Sequence, residues 1–418
     1  MARLLAWLAG TLLVLGLAAG GLFLAALDSQ PLVSRSATIS PSSVAQARWL
    51  LQANDPRRLR SGEARRTAIP AALIDDGINY LATRFLHGRG TLAFNDGAAE
   101  IRLTVPAPVL PGAHFLNFSA LLRESDGQPR IANARLGRLP LPVWLLEPAL
   151  ETGIRQAGFD REWQLARHAL QELRFEPERQ QVIVAYRWQP ALLEQARSLA
   201  VTADELVRLR AAHEMLAALV AAQASGTRIP LTVLLAPLLT SEGSDQLAKR
   251  RAAIFVLAAY LSERNLASVI PEAASWPKAR PTLPTLFGRV DSAQHFVISA
   301  ALAAWAGEPI ADAIGIYKEL IDARHGSGFS FADLAADRAG TVFGELLIKQ
   351  PARLDRLLQT PIADADLLPA LTDFPEGMGE RDFRRRFGGP GSPAYQQQAG
   401  EIECRLFALP LYQGLGKS

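Results

Sequence analysis

Cysteine occurs once in 418 residues, at Cys404, which excludes an internal disulfide and any site built on clustered thiolates. That thiol also lies at the wrong end of the chain to carry the lipid of a bacterial lipoprotein. No HExxH, paired CxxC, P-loop, GxSxG or dinucleotide-type glycine loop occurs, so the strong enzyme signatures are missing. One-sided charge is lacking too: 44 Lys and Arg stand against 41 Asp and Glu, a net charge of +3. Nucleic-acid binding needs a concentrated basic stripe with interleaved aromatics. The nearest candidates, Arg57, Arg58, Arg60, Arg65 and Arg66 and the triplet Arg384 to Arg386, read as solvated helix faces or weak contacts to anionic lipid heads. Nucleic acid is therefore not an expected partner. No repeat of fixed period appears, which excludes a solenoid.

Apolar residues are plentiful. They make up 49% of the chain against 20% charged, enough for a sizeable packed core. From Leu4 to Leu27 there is no charge and one hydroxyl, Thr11. As a helix this run is about 36 Å long, against a hydrocarbon core of roughly 30 Å. It exceeds a typical signal-peptide core, so an uncleaved signal anchor over residues 1–27 is expected, with a cleaved signal peptide as the alternative. Arg3 precedes the run, while Asp28 and Arg35 nearly cancel after it. The positive-inside rule then points to a cytoplasmic N-terminus and an exported body. The expected place is the inner membrane, single-pass, with the body on the periplasmic side.

The rest divides by period. Residues 28–41 contain turn formers and no period and read as a tether. Residues 42–189 read as an α+β domain. Within it a helical stripe at Leu73, Ile74, Ile78, Leu81 and Phe85 precedes alternating runs. Those runs flank Asp96-Gly97 and Ser125-Asp126-Gly127, which are hairpin signals. Alternate residues Leu92, Phe94, Ile101, Leu103 and Val105, with Phe115 and Phe118, suit a lipid groove or an ordinary core equally. Residues 190–350 read as an all-α domain rich in Ala and Leu, and residues 351–418 as a helical tail after apolar density falls. The expected fold class is thus α+β: an N-terminal transmembrane helix, an antiparallel-sheet domain, then helices.

The stretch 291–344 carries the candidate chemistry. It reads as three short helices that place polar residues beside small ones. His295 lies one turn after Asp291 and one before Ser299. Glu319 shares a face with Gly315 and Asp322. Asp333 and Asp337 are four apart, on a face continuing to Gly340, Thr341 and Gly344. Small residues let helices approach closely, so these carboxylates are expected within a crossing, where they need partners; His295, Lys318 and Arg338 are the local donors. His295, Glu319, Asp322, Asp333 and Asp337 are the candidate catalytic residues, and His295, Glu319 and Asp337 the candidate ligands of a hard metal. A structural polar network is the competing reading. Ser330 to Asp333 has the form of a helix cap, Lys318 and Asp322 form an i,i+4 pair, and His295 suits a core position. No particular metal or other cofactor is implied.

Asp291-x-x-x-His295, the Lys318-Glu319-x-x-Asp322 block and Phe329-Ser330-x-x-Asp333-x-x-x-Asp337-x-x-Gly340 resemble the YfiM-like family of predicted periplasmic lipoproteins. More distantly they resemble VanZ-like proteins. The resemblance covers roughly an eighth of the chain and implies a compact helical module in the envelope of a Gram-negative bacterium, with no established chemistry to carry over. Those proteins are anchored through an N-terminal cysteine; here the apolar run would replace the lipid. The sheet domain bears a fainter likeness to tubular lipid-binding and AsmA-type envelope domains. The function expected is that of a membrane-tethered envelope protein that binds lipid or envelope proteins or aids assembly. The alternative is a metal-assisted or acid–base hydrolase acting on an envelope lipid or glycan.

Overall fold

The structure, a computed structural model, describes residues 20–21, 24–54, 59–95, 98–108, 112–125, 127–156, 160–190, 202–240, 245–262, 266–268, 270–307, 314 and 328–415. The chain divides into two compact units, residues 1–199 and 200–418. Among the described residues no helix is long and apolar enough to cross a membrane. Most of the apolar run, residues 4–19 with 22 and 23, lies outside them.

The first unit is α+β, as the alternating runs predict. Its larger sheet is antiparallel, with β3 (Arg89–Asn95), β4 (Ala98–Pro106), β5 (Phe115–Ser125), β6 (Gln128–Leu136) and the two-residue β7 (Leu139–Pro140) in sequence order. Asn95 pairs with Ala98 and Ser125 with Gln128, the registers of two-residue hairpins predicted at Asp96-Gly97 and Asp126-Gly127. Gly90, Leu92, Leu103, Ile101, Phe118 and Leu136 share one face through these pairings. Helix α2 (Ala71–Leu86) lies on that face, because a Cβ on Gly90 would sit 2.8 Å from Ile78 and from Leu103. The apolar strand residues Leu92, Phe94, Ile101, Leu103, Val105, Phe115 and Phe118 are all half-buried, while Ala99, Ala120 and Ala134 are buried. A second sheet takes in the alternating runs of the sequence at 173–175 and 181–188 and adds an earlier strand to them. It is three-stranded, β2 (Ala64–Pro70), β9 (Gln181–Arg187) and β8 (Leu170–Glu176), and joins segments more than a hundred residues apart.

Residues 28–41 are not a free tether, and this corrects the expectation. Leu27–Asp28 forms β1, antiparallel to Leu116 and Phe115 of β5, taking over where β6 ends. Gly137 turns β6 aside with φ +55, a conformation that favours glycine. A Cβ there would lie 2.2 Å from the Ala26 carbonyl oxygen, so the end of the apolar run is wedged against this turn. Beyond it, buried Asn117 clasps the chain. Its Oδ1 accepts from Leu32 N–H at 2.9 Å, and its Nδ2 donates to Gln30 O and Asp28 Oδ2, both at 2.9 Å. Thr104 Oγ1 accepts from Val33 N–H at 2.9 Å and donates to Asn117 Oδ1 at 2.8 Å. Arg35 then pairs with Asp75 at 2.5 Å and Asp76 at 2.8 Å. Asp76 also accepts from Ser43 Oγ ahead of helix α2, at 2.7 Å, near the start of α1 (Pro41–Ala53). Buried polar groups need partners, and here the backbone of residues 28–43 supplies many of them.

The second unit is mainly helical. Its elements are α5 (Ala203–Ala221), α6 (Thr232–Leu239), α7 (Gln246–Leu261), α8 (Val290–Ala306), α9 (Phe331–Lys349), α10 (Pro351–Leu358), α11 (Asp364–Leu367), α12 (Glu380–Phe387) and α13 (Pro393–Ala408). A parallel pair of three-residue strands, Arg228–Pro230 and Leu283–Thr285, departs from an all-α reading. Thr202 closes a capping box with Glu205, and Pro393 follows the cap Ser392, both start signals in sequence. One core runs through the unit, and Leu354, Leu367, Phe383, Phe387, Tyr395, Ile402 and Tyr412 belong to it. Residues 351–415 therefore pack as part of the unit. Phe329, Phe331, Phe383, Phe387 and Tyr395 form an aromatic cluster at the start of α9.

Candidate functional site

Helices α8 and α9 carry the site. Phe296 meets Gly340 and Ala300 meets Gly344, so both numbers rise together and the helices run parallel. Their backbones touch because neither glycine has a side chain. A Cβ on Gly340 would lie 2.0 Å from the Phe296 carbonyl oxygen, and one on Gly344 2.3 Å from that of Ala300. The small-residue crossing expected from the sequence is thus present.

His295 and Asp337, both under a tenth exposed, meet one turn before the glycine contact. His295 Nδ1 lies 3.0 Å from Asp337 Oδ2, and Ser299 Oγ donates to Asp337 Oδ1 at 2.7 Å. On the other side of the ring, Nε2 lies 3.7 Å from Asp333 Oδ2. Asp333 has the capping role read from the sequence as well, since its N–H donates to Ser330 Oγ at 3.0 Å. The two readings of Asp333 coexist: the backbone closes the helix start and the carboxylate faces the imidazole.

From Asp333 the network continues outward through Arg289, which the sequence reading missed. Arg289 lies 3.8 Å from Asp333 and 2.8 Å from both Asp291 and Glu376. Hydrogen bonds to Asp291, then Glu376, raise the guanidinium further above its usual range against the cost of burial. Burial pushes the Asp291 carboxyl up, but Arg289, the Ser292 N–H and His295 outweigh it and hold the group below the usual carboxylate range. Arg338, the local donor on α9, pairs with Glu403 of α13 at 2.5 Å. Glu376 and Glu403 lie in the stretch read as a tail, so no local spacing could have announced them.

Of the five candidate catalytic residues, the structure brings His295, Asp333 and Asp337 together. Glu319 and Asp322, with Lys318 and Gly315, lie outside the described residues. Among the described residues no group of three or more His, Cys, Asp or Glu side chains is placed to hold a metal. The ring shows why: its two nitrogens face different carboxylates, so Asp337 and Asp333 do not converge on one nitrogen. Of the metal set His295, Glu319 and Asp337, the described residues His295 and Asp337 are in contact. What the geometry can do is orient and hold a proton. With one carboxylate 3.0 Å from Nδ1 and another 3.7 Å from Nε2, a protonated ring would face a negative charge on each side.

The chain matches no family model, and no curated protein and no solved structure is found to be similar to it.

Proposed function

We propose that this chain is a membrane-tethered protein of the bacterial cell envelope, its body on the periplasmic side, acting as a binding or assembly module close to the membrane. The apolar run 4–27 supplies the anchor, and the likeness of residues 291–344 to YfiM-like proteins supports the compartment. The observation that carries the reading is the docking of the run's end: Ala26 against Gly137, β1 on β5, and residues 28–36 clasped by Asn117, Thr104 and Asp75. A span followed by a slack linker lets its cargo swing; this span would instead pass directly into the sheet and hold the first unit at the bilayer. Carbonate extraction and protease accessibility in spheroplasts test it. The full chain should stay with the membrane pellet and become accessible only once the outer membrane is opened. Recovery in the soluble cytosolic fraction would end the proposal.

A second reading, an acid–base or metal-assisted hydrolase of an envelope lipid or glycan, draws on one observation, the Asp337–His295 contact with Asp333 beyond it. Its test is separable. His295→Gln should leave melting close to that of the parent while abolishing turnover of envelope lipid or glycan. Loss of melting temperature with no activity in either protein favours a structural role instead.

A further inference from the structure

One end of the larger sheet of the first unit gathers exposed apolar and basic side chains. Arg89 pairs with Thr104, Thr104 with Asn117, and the next rung of β5, Leu116, pairs with Leu27. Gly88 belongs to the same end, since a Cβ on it would lie 2.3 Å from the Thr104 carbonyl oxygen. The C-terminal turn of α2 therefore lies at the same end of the sheet as the Ala26–Gly137 contact, where the apolar run joins the fold. Leu81 and Phe85 are one turn apart on that helix, 53% and 69% exposed, and Leu86 is 46% exposed. On the run itself Leu24 is 55% exposed. Arg84, His87 and Arg138 are exposed at the same end. Soluble surfaces seldom gather large apolar side chains in this way. A mixture of apolar and basic side chains is instead what a helix resting in a lipid interface presents.

We propose that this end of the sheet is a membrane-contact collar, in which Leu81, Phe85 and Leu86 enter the headgroup region and Arg84 and Arg138 meet anionic lipid phosphates. The inference rests on the tethered reading above, because the run entering the bilayer is what brings the collar to it. The far end of the sheet, at the turn after Ser125, is eight rungs from Asn117 along β5, or about 26 Å at roughly 3.3 Å per residue. It stands away from the surface. The clasp on residues 28–36 fixes this attitude, so the half-buried apolar face under α2 stands across the membrane plane.

The test uses the full chain with Cys404→Ser, reconstituted in nanodiscs of phosphatidylethanolamine and phosphatidylglycerol. Single cysteines at Leu13→Cys, Phe85→Cys or Ser125→Cys carry an environment-sensitive fluorophore, and nitroxide-bearing lipids are the quencher. Strong quenching at 13 and 85, with 125 several-fold less quenched, is the expected result. Quenching at 13 with 85 no more quenched than 125 overturns the collar while the tether stands. Absence of quenching at 13 overturns the tether and the collar with it.

Discussion

Replacing Gly340 by alanine sets two effects of opposite sign against each other. In a helix interior Ala is favoured over Gly by about 1 kcal/mol. Against this, the new methyl would lie 2.0 Å from the Phe296 carbonyl oxygen, and the neighbours within reach are backbone atoms that cannot rotate away. Ordinary contact needs a separation of about 3.3 Å, so α8 and α9 must part by roughly an ångström or more at this point. Forcing one methyl into a close-packed contact costs about 1–3 kcal/mol. The upper end applies here, because parting the helices also loosens the Phe296–Phe343 ring contact at 5.3 Å and stretches His295–Asp337 one turn away. The clash wins, with a net loss of about 2 kcal/mol. For a unit of this size that lowers the melting temperature by roughly 4–8 °C, read by scanning fluorimetry on the full chain in detergent. A melting temperature equal to or above that of the parent would refute the close crossing.

Three further outcomes follow from the same contacts. Asn117→Ala strands Leu32 N–H and Thr104 Oγ, costing about 2 kcal/mol; cleavage after Arg35 by trypsin should then quicken by about thirtyfold, and an unchanged rate would dispose of the clasp. Asp337→Ala removes the acceptor of Ser299 and the carboxylate beside His295 and should cost roughly 3 kcal/mol, whereas Asp337→Asn keeps an oxygen for Ser299 and should melt in between; melting curves that do not rank this way contradict the network. Asp291 has a folded-state pKa below its unfolded value, so its contribution to stability is complete above the usual carboxylate range and fades as pH falls through the folded value. Melting temperature should accordingly drop less between pH 5 and 3 in Asp291→Asn than in the parent, the two curves converging at the acid end; parallel curves would remove Asp291 from the acid response.

Periodicity carried the parts of this fold that are local. The hairpins were legible because an Asp-Gly or Asp126-Gly127 pair sits between alternating runs, and the register follows from the turn. The α8–α9 crossing was legible because Gly340 and Gly344 share a face with Asp337, and the partner helix shows His295 and Ser299 one turn apart. Distant partners left no such mark. Pairing of Thr67 with Val184 across the second sheet depends on tertiary packing, as does the contact of Arg289 with Glu376. Residues 28–41 looked loose because Ser, Pro and Gln favour turns; what holds them is Asn117 and Thr104, polar residues at strand positions that solvent would have suited as well. Residues 351–418 looked like a tail because Gly388-Gly-Pro-Gly interrupts them. Average hydrophobicity hid Phe383, Phe387 and Tyr395, which are few but buried.

Two glycines four apart, each beneath a carbonyl four apart on the facing helix, admit one alignment of α8 and α9. Slipping α9 by a turn, about 5.4 Å, would bring Gly344 under the Phe296 carbonyl but Ile348 under that of Ala300, where even a methyl has no room. The same slip would set Thr341 where the Asp337 carboxylate accepts from Ser299. The glycine pair thus works as a two-toothed key: one tooth alone would fit at either step, and both together fit at one.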